Sequence, residues 1–299
     1  MFNSFSPGDR ITYANLGFIM KNQILYLGPE GTHSHEAALA RFGGDAQLMP
    51  CLSHEEIFER LCSPSRRGRP LAIVPVENSS EGPVTQTLDQ LAACPQVTIT
   101  GCFSINIRHH LLVPPGIRCK SKVARVYSHP QALGQCRASL QAYLPGVERM
   151  PESSTAAAAR RASLETGAAA LASTAAASIN GLKILKRDMQ DSDENVTRFF
   201  VVSAGRSRPA PSPDAEYRSL IHLVIGNRPG ALLHALAPFD ASGVNLTFIQ
   251  SRPLPGRPWE YGFFIEAATD WKTARAEAAW RLVLALSESG RKIGTYPVA

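Results

Sequence analysis

Chemistry in this chain has to be done by neutral hydrogen-bonding groups. Thr32, Ser34, Asn78, Ser79, Thr85, Thr87, Ser128, Gln131, Gln135, Ser154, Thr155 and Thr197 gather near the ends of apolar runs. A fixed cation, Arg198, follows Thr197, and Glu77 could titrate. Such a set suits binding a polyanion and stabilising charge as it rearranges. Nucleophilic catalysis fits poorly. Ser128 and His129 are neighbours and would face opposite ways on a strand, and the chain has no G-x-S-x-G elbow. Cys136 falls inside an apolar helical pattern and reads as a core thiol. The pairs His33/His35 and His109/His110 have no third residue at metal-ligand spacing. A solute-binding cleft without chemistry remains the alternative reading of the same residues.

The elements that must hold these groups alternate between strand and helix. A strand at 23–27 enters a Gly-Pro-Glu-Gly turn and then a helix for which Thr32 and Ser34 are candidate caps. That turn is neither a P-loop nor a dinucleotide fingerprint, so no cofactor is expected. Ser53-His54-Glu55-Glu56 is a capping box for a second helix. The run 71–76 reads as a buried strand ending in Glu77-Asn78-Ser79-Ser80, with Gly82 and Pro83 opening a further helix. The segment 97–113 reads as one long bent strand. Strands at 123–128 and 168–172, helices after 130 and 154, and a final strand through Phe199-Phe200-Val201-Val202 complete an α/β pattern with a mostly parallel sheet. The proline-rich 204–218 reads as a linker. Beyond it, 219–299 follows the ferredoxin-like order βαββαβ.

Composition excludes several classes. Of 299 residues, 44% are hydrophobic and 19% charged, which suits a folded multi-lobed protein. No apolar run reaches the ~18 residues of a membrane span. Residues 1–22 lack a signal-peptide pattern and read as an N-terminal extension. The six cysteines contain no C-x-x-C pair and read as reduced thiols of a cytoplasmic protein. The net charge of +6 is scattered, as at Arg66-Arg67 and Arg160-Arg161, and carries no nucleic-acid motif. A small anionic substrate accounts for it as well.

With these segments in place, the sequence resembles bacterial prephenate dehydratases that carry a C-terminal ACT regulatory domain. The matching stretches are YLGPEGTHSHEAA (26–38), PVENSSEG (75–82), YSHPQALGQC (127–136), SSTAAA (153–158) and NVTRF (195–199), then RPGALLHAL (228–236) and GVNLTFIQSRP (243–253). The resemblance implies a two-lobed, periplasmic-binding-protein-like catalytic domain at 23–203. Lobe 1 would be about 23–100 and 186–203, and lobe 2 about 101–185, with the ACT domain at 219–299. It implies loss of carbon dioxide and water from prephenate to give phenylpyruvate, with no cofactor or metal. Thr197 is then the donor to the leaving hydroxyl, with Asn78, Ser128 and Gln135 at activity-linked positions. Thr32, Ser79, Thr87, Ser154, Thr155, Arg198 and Phe199 are expected to contact substrate. Gly230, Ala231, Leu232, Leu233, Asn245, Leu246, Gln250, Ser251, Arg252 and Pro253 are expected to bind phenylalanine between paired domains, in a homodimer or homotetramer. No chorismate mutase helices are read before residue 23, so a single catalytic function is expected.

Four positions depart from the family pattern: His33, where Phe or Tyr is usual, Cys102, where Glu is common, and Phe248 and Gln250, where Lys and Glu are common. Arogenate dehydratase activity, or an amino-acid-sensing protein with an inactive cleft, remain alternatives.

Overall fold

The structure is a computed structural model and describes residues 23–43, 45–63, 70–205 and 215–298. The N-terminal extension, Arg66-Arg67 and most of the expected linker lie outside the described residues. The strands are β1 Gln23–Leu27, β2 Gln47–Cys51, β3 Leu71–Asn78, β4 Gly82–Pro83, β5 Val97–Asn106, β6 His110–Val113, β7 Arg125–Ser128, β8 Glu148–Pro151, β9 Ala168–Ala172, β10 Lys183–Lys186 and β11 Val196–Ala204. After them come β12 Tyr217–Val224, β13 Leu246–Leu254, β14 Arg257–Ala267 and β15 Ser289–Pro297. The helices are α1 His33–Phe42, α2 His54–Cys62, α3 Thr85–Ala93, α4 Pro130–Gln135, α5 Arg137–Tyr143, α6 Thr155–Leu164, α7 Thr174–Ile179, α8 Ala231–Ala241 and α9 Ala274–Ala285.

Two lobes and a C-terminal domain result. The first lobe's sheet has the order β2-β1-β3-β11-β5, with β4 on β3. Its first three strands are parallel, but β11 runs antiparallel to both neighbours, so the sheet is mixed. The second lobe's sheet is β10-β6-β9-β7-β8. The C-terminal sheet is β13-β14-β12-β15, the ferredoxin-like arrangement.

Three local readings change. Residues 97–113 form two strands in different sheets, because the chain crosses between lobes at 107–109. Residues 101–106 therefore stay in the first lobe, paired with β11. Gly82 and Pro83 do not open a helix. They pair with Asn78 and Glu77, and α3 begins at Thr85. Of the two candidate caps for α1, Thr32 accepts the His35 amide, while Ser34 is buried in the first turn. The capping box at Ser53 is present, with Ser53 Oγ accepting the Glu56 amide.

β11 is the central element. Alternation places Phe199 and Val201 on one face with Tyr26, Ile73 and Phe103, and Phe200 and Val202 on the other. The second face shares one apolar core with Leu220, Phe248, Phe264, Ile293 and Tyr296 of the C-terminal domain. That domain thus lies directly on the back of the first sheet. β15 approaches β5 so closely that a Cβ on Gly294 would stand 2.5 Å from the Ile99 carbonyl oxygen. We predict that Gly294→Ala lowers stability by about 1–3 kcal/mol, as forced core insertions do, measured as a lower denaturation midpoint.

Candidate active site

The two chain crossings run side by side between the lobes. Ile107 donates its amide to the Asn195 carbonyl at 2.8 Å, and Met189 to the His109 carbonyl at 2.7 Å. Around them lies a cleft of about 240 Å³. Thr32, His33 and Ser34 from the start of α1, with Pro75, Asn78, Thr197 and Phe199, form one wall; His129, Gln131, Ala132, Gln135, Ser153, Ser154 and Thr155 form the other, and Ile107, His109 and Asn195 form the floor.

A polar chain runs through this cleft with a fixed direction. Asn78 Oδ1 accepts the backbone amides of Ser80 and Glu81 at 2.9 and 3.1 Å, which sets the orientation of its amide. Asn78 Nδ2 therefore donates to Thr197 Oγ1 and to Asn195 Oδ1, each at 2.8 Å. Asn195 Nδ2 in turn donates to Gln135 Oε1 at 3.0 Å. Gln135 Oε1 is an acceptor here, so His109 Nε2, 3.1 Å away, carries a proton. The consequence at one end is that Thr197 accepts from Asn78 and keeps its own O–H for another partner. At the other end, Gln135 Nε2 and His109 Nδ1 are buried with no partner among the described residues, as is His33 Nε2. Buried polar groups without partners are uncommon, and here three of them meet at one cleft.

Among the described residues, no guanidinium lines this cleft. The N-termini of α1, capped by Thr32, and α6, capped by Ser154, open onto it instead. Helix N-termini favour negative charge. His33 meets His109 edge-on at 5.2 Å between ring centres, and its Nδ1 lies 3.1 Å from Glu36 Oε2.

Burial pushes His109 down to about 4, and the neighbouring His33 adds to this; burial does the same to His222 in the C-terminal domain. Both rings are neutral in the folded chain near pH 7, while the unfolded chain takes up those protons near 6.5. The unfolded state then binds more protons between about pH 6.5 and 4, and stability falls as pH falls through that window. A series of urea midpoints against pH should show this decline. His222→Leu should make it shallower, and an unchanged slope would contradict the assignment.

The residues expected at the site divide clearly. Thr197, Asn78, Gln135, Thr32, Ser154, Thr155 and Phe199 are brought together. Ser128 is fully buried behind the wall, and its hydroxyl donates to the Leu171 carbonyl at 2.7 Å. Thr87 is likewise buried and donates to the Pro75 carbonyl. Ser79 Oγ donates to the Glu194 carbonyl and accepts the Val196 amide, pinning the entry to β11 rather than lining the cleft. Arg198 points out of the opposite face of the sheet from Thr197, because adjacent strand residues face opposite ways. It is bonded there to Glu77 and Glu266. Glu77 is thus structural. Cys102 also faces the C-terminal domain rather than the cleft.

The sequence marks Asn195 only as the first residue of the NVTRF match and gives His109 no role in the cleft. The signal for Asn195 is its position two residues before Thr197 in an extended segment, which puts both on one face. In the C-terminal domain, Gly230 takes a left-handed conformation (φ 76°) and opens α8. Ala231 is buried, Leu232 partly so, and Leu233 exposed. Asn245, Leu246, Gln250, Ser251 and Pro253 lie on or just before β13. Arg252 is also held from the catalytic domain, its Nε and Nη2 both donating to Asp89 on α3 at 2.7 Å.

Comparison with known proteins places this geometry among relatives. The family model described as prephenate dehydratase matches residues 24–207. A bifunctional chorismate mutase/prephenate dehydratase of Stutzerimonas stutzeri is 38% identical over 82% of this chain and 64% of its own length, so this chain spans somewhat under two-thirds of that protein. Among solved structures, prephenate dehydratase of Arthrobacter aurescens in complex with L-Phe superposes with a TM-score of 0.80 at 34% identity, covering 92% of this chain and 89% of its own. GqqA, described as a novel type of quorum-quenching acylase, superposes with a TM-score of 0.82 at 27% identity, covering 93% and 98%.

Proposed function

The chain belongs to the prephenate dehydratase family, and from that premise we propose that it converts prephenate to phenylpyruvate, carbon dioxide and water. The observation that carries this reading is the free O–H of Thr197, held in the cleft by the Asn78 amide. In the reaction the bond to the ring carboxylate breaks and releases carbon dioxide, its electron pair enters the ring, and the C4 hydroxyl leaves with its bonding pair and takes a proton from solvent to become water. Aromatisation supplies the driving force. The protein has to bind a dicarboxylate, keep it oriented and support the departing oxygen.

Thr197 hydrogen-bonds to that oxygen as charge develops on it. A threonine hydroxyl is too weak an acid to be a full proton donor near neutral pH, so its role is hydrogen-bond assistance. Gln135 Nε2 and the α1 and α6 N-termini are suited to receive the carboxylates. An acylase reading requires a nucleophile beside a base. Thr197 is held by an amide instead, and the Ser128 hydroxyl is directed to a main-chain carbonyl.

One observation favours arogenate as a second substrate. The neutral His109 lines the cleft and leaves its Nδ1 lone pair unpartnered, an acceptor for the ammonium that replaces the keto group. L-Phenylalanine is the effector expected at the C-terminal domain, and assembly as a homodimer or homotetramer belongs to the same proposal. The test is to incubate the purified chain with prephenate or arogenate, with and without L-phenylalanine, and to follow product. Phenylpyruvate from prephenate, reduced by L-phenylalanine, is expected. Absence of product at every pH would overturn the enzymatic reading.

A further inference from the structure

The C-terminal domain supplies a buried carboxylate to the back of the strand that carries Thr197. Glu266 on β14 has no exposed surface. Arg198 Nη1 donates to its two oxygens at 2.9 and 2.8 Å, Arg218 Nη1 at 3.2 Å, Thr247 Oγ1 at 2.5 Å and Tyr296 Oη at 2.6 Å. Arg198 also reaches Glu77 at 3.0 Å, and its guanidinium lies between the rings of Phe200 and Phe248 at 5.7 and 5.6 Å. Arg198 and Arg218 thus converge on the fully buried Glu266, while the outer carboxylate, Glu77, is 38% exposed. Burial alone would raise the Glu266 pKa, but the Arg198 charge and the bonds from Thr247 and Tyr296 outweigh it and hold the carboxyl below its ordinary value.

The position of this cluster matters because the β3–β11 ladder is irregular there. Thr197 pairs with Asn78 and Arg198 with Glu77, but Phe199 pairs with Pro75, so β3 carries an extra residue at that point. Bulges of this kind interrupt ladder bonding and re-aim side chains beside active sites. Arg198 spans the irregularity from behind. It grips Glu77, the neighbour of Asn78, and is itself the neighbour of Thr197.

We propose that Glu266 is a positioning residue for the dehydration: by holding Arg198 it fixes the bulged ends of β3 and β11, and so the Asn78–Thr197 pair, making the catalytic geometry dependent on the C-terminal domain. This rests on Thr197 being the catalytic donor. Arg198 then acts through the strand and does not touch substrate.

The test uses the full chain with Glu266→Gln, Glu266→Asp and Tyr296→Phe, the last removing one hydroxyl and sparing the fold. Steady-state kinetics with prephenate are expected to show kcat reduced about ten- to hundredfold in Glu266→Gln, in keeping with small misplacements of reacting groups, with KM little changed. Glu266→Asp should recover part of the loss, and Tyr296→Phe should show a smaller loss of the same kind. Full kcat in folded Glu266→Gln and Tyr296→Phe would overturn the proposal, as would a rise in KM alone. Hydrogen exchange at 196–198 gives a reading that needs no substrate. Faster exchange in Glu266→Gln supports the clamp and unchanged exchange overturns it. A wild-type chain that makes no phenylpyruvate would instead count against the proposed function.

Discussion

Thr197→Val is expected to leave the fold and prephenate affinity intact and to lower kcat by about 10²–10³-fold, the usual cost of one lost donor to developing oxyanion charge. Valine keeps the branched shape of threonine, and residue 197 is only 9% exposed, so packing between β3 and β5 survives. What is lost is a cleft-lining hydroxyl that accepts from Asn78 and so keeps its hydrogen for substrate. Because the hydrogen bond strengthens as the C4 oxygen departs, its loss should fall on kcat rather than on KM. Thr197→Ser, which keeps the hydroxyl, should retain most of the rate. Kinetics on the three proteins check this, and a valine variant at wild-type rate would remove Thr197 from the mechanism.

Asn78→Asp should be as damaging, for a reason that lies in hydrogen-bond direction. The substitution keeps the oxygen that accepts from Ser80 and Glu81. It replaces the two-donor nitrogen by an anionic oxygen facing Asn195 Oδ1 and Thr197 Oγ1. The Thr197 hydrogen then turns toward the new carboxylate and away from substrate. The Asn195 amide has to reverse or face a like acceptor, which disturbs its bond to Gln135. A negative charge also enters a cleft that must take a dicarboxylate. We expect kcat to fall by about 10²–10³-fold and, in contrast to Thr197→Val, KM to rise. An Asn78→Asp variant with unchanged KM would contradict the assignment of the cleft to an anion.

Much of this architecture is legible along the chain because strand–turn–helix alternation is local. The same holds for the βαββαβ order after residue 215, while Thr197, Asn78 and Gln135, singled out through their motif matches, do line one cleft. Arg198 is not read correctly beside Thr197. The period-two rule that separates Ser128 from His129 applies equally to this pair, and it sends the cation to the other face. Its destination could not be read at all, since Glu266 is brought to it by the docking of a separate domain. The break at 107–109 is hidden for a similar reason. Both flanking segments are apolar, and only the pairing of β5 with β11 and of β6 with β9 shows that they belong to different sheets. Ser128 and Thr87 mislead because a buried hydroxyl bonded to a carbonyl and a substrate-binding hydroxyl look alike in sequence.

The most direct measurement is a crystal structure of Thr197→Val soaked briefly with prephenate and flash-cooled before a variant slowed about 10²–10³-fold completes its turnover. The account predicts prephenate between the lobes, its C4 hydroxyl facing residue 197 and a carboxylate against Gln135 Nε2, with Arg198 still bonded to Glu266 behind the sheet. Prephenate bound with its hydroxyl turned away from residue 197, or held by Arg198, would contradict it.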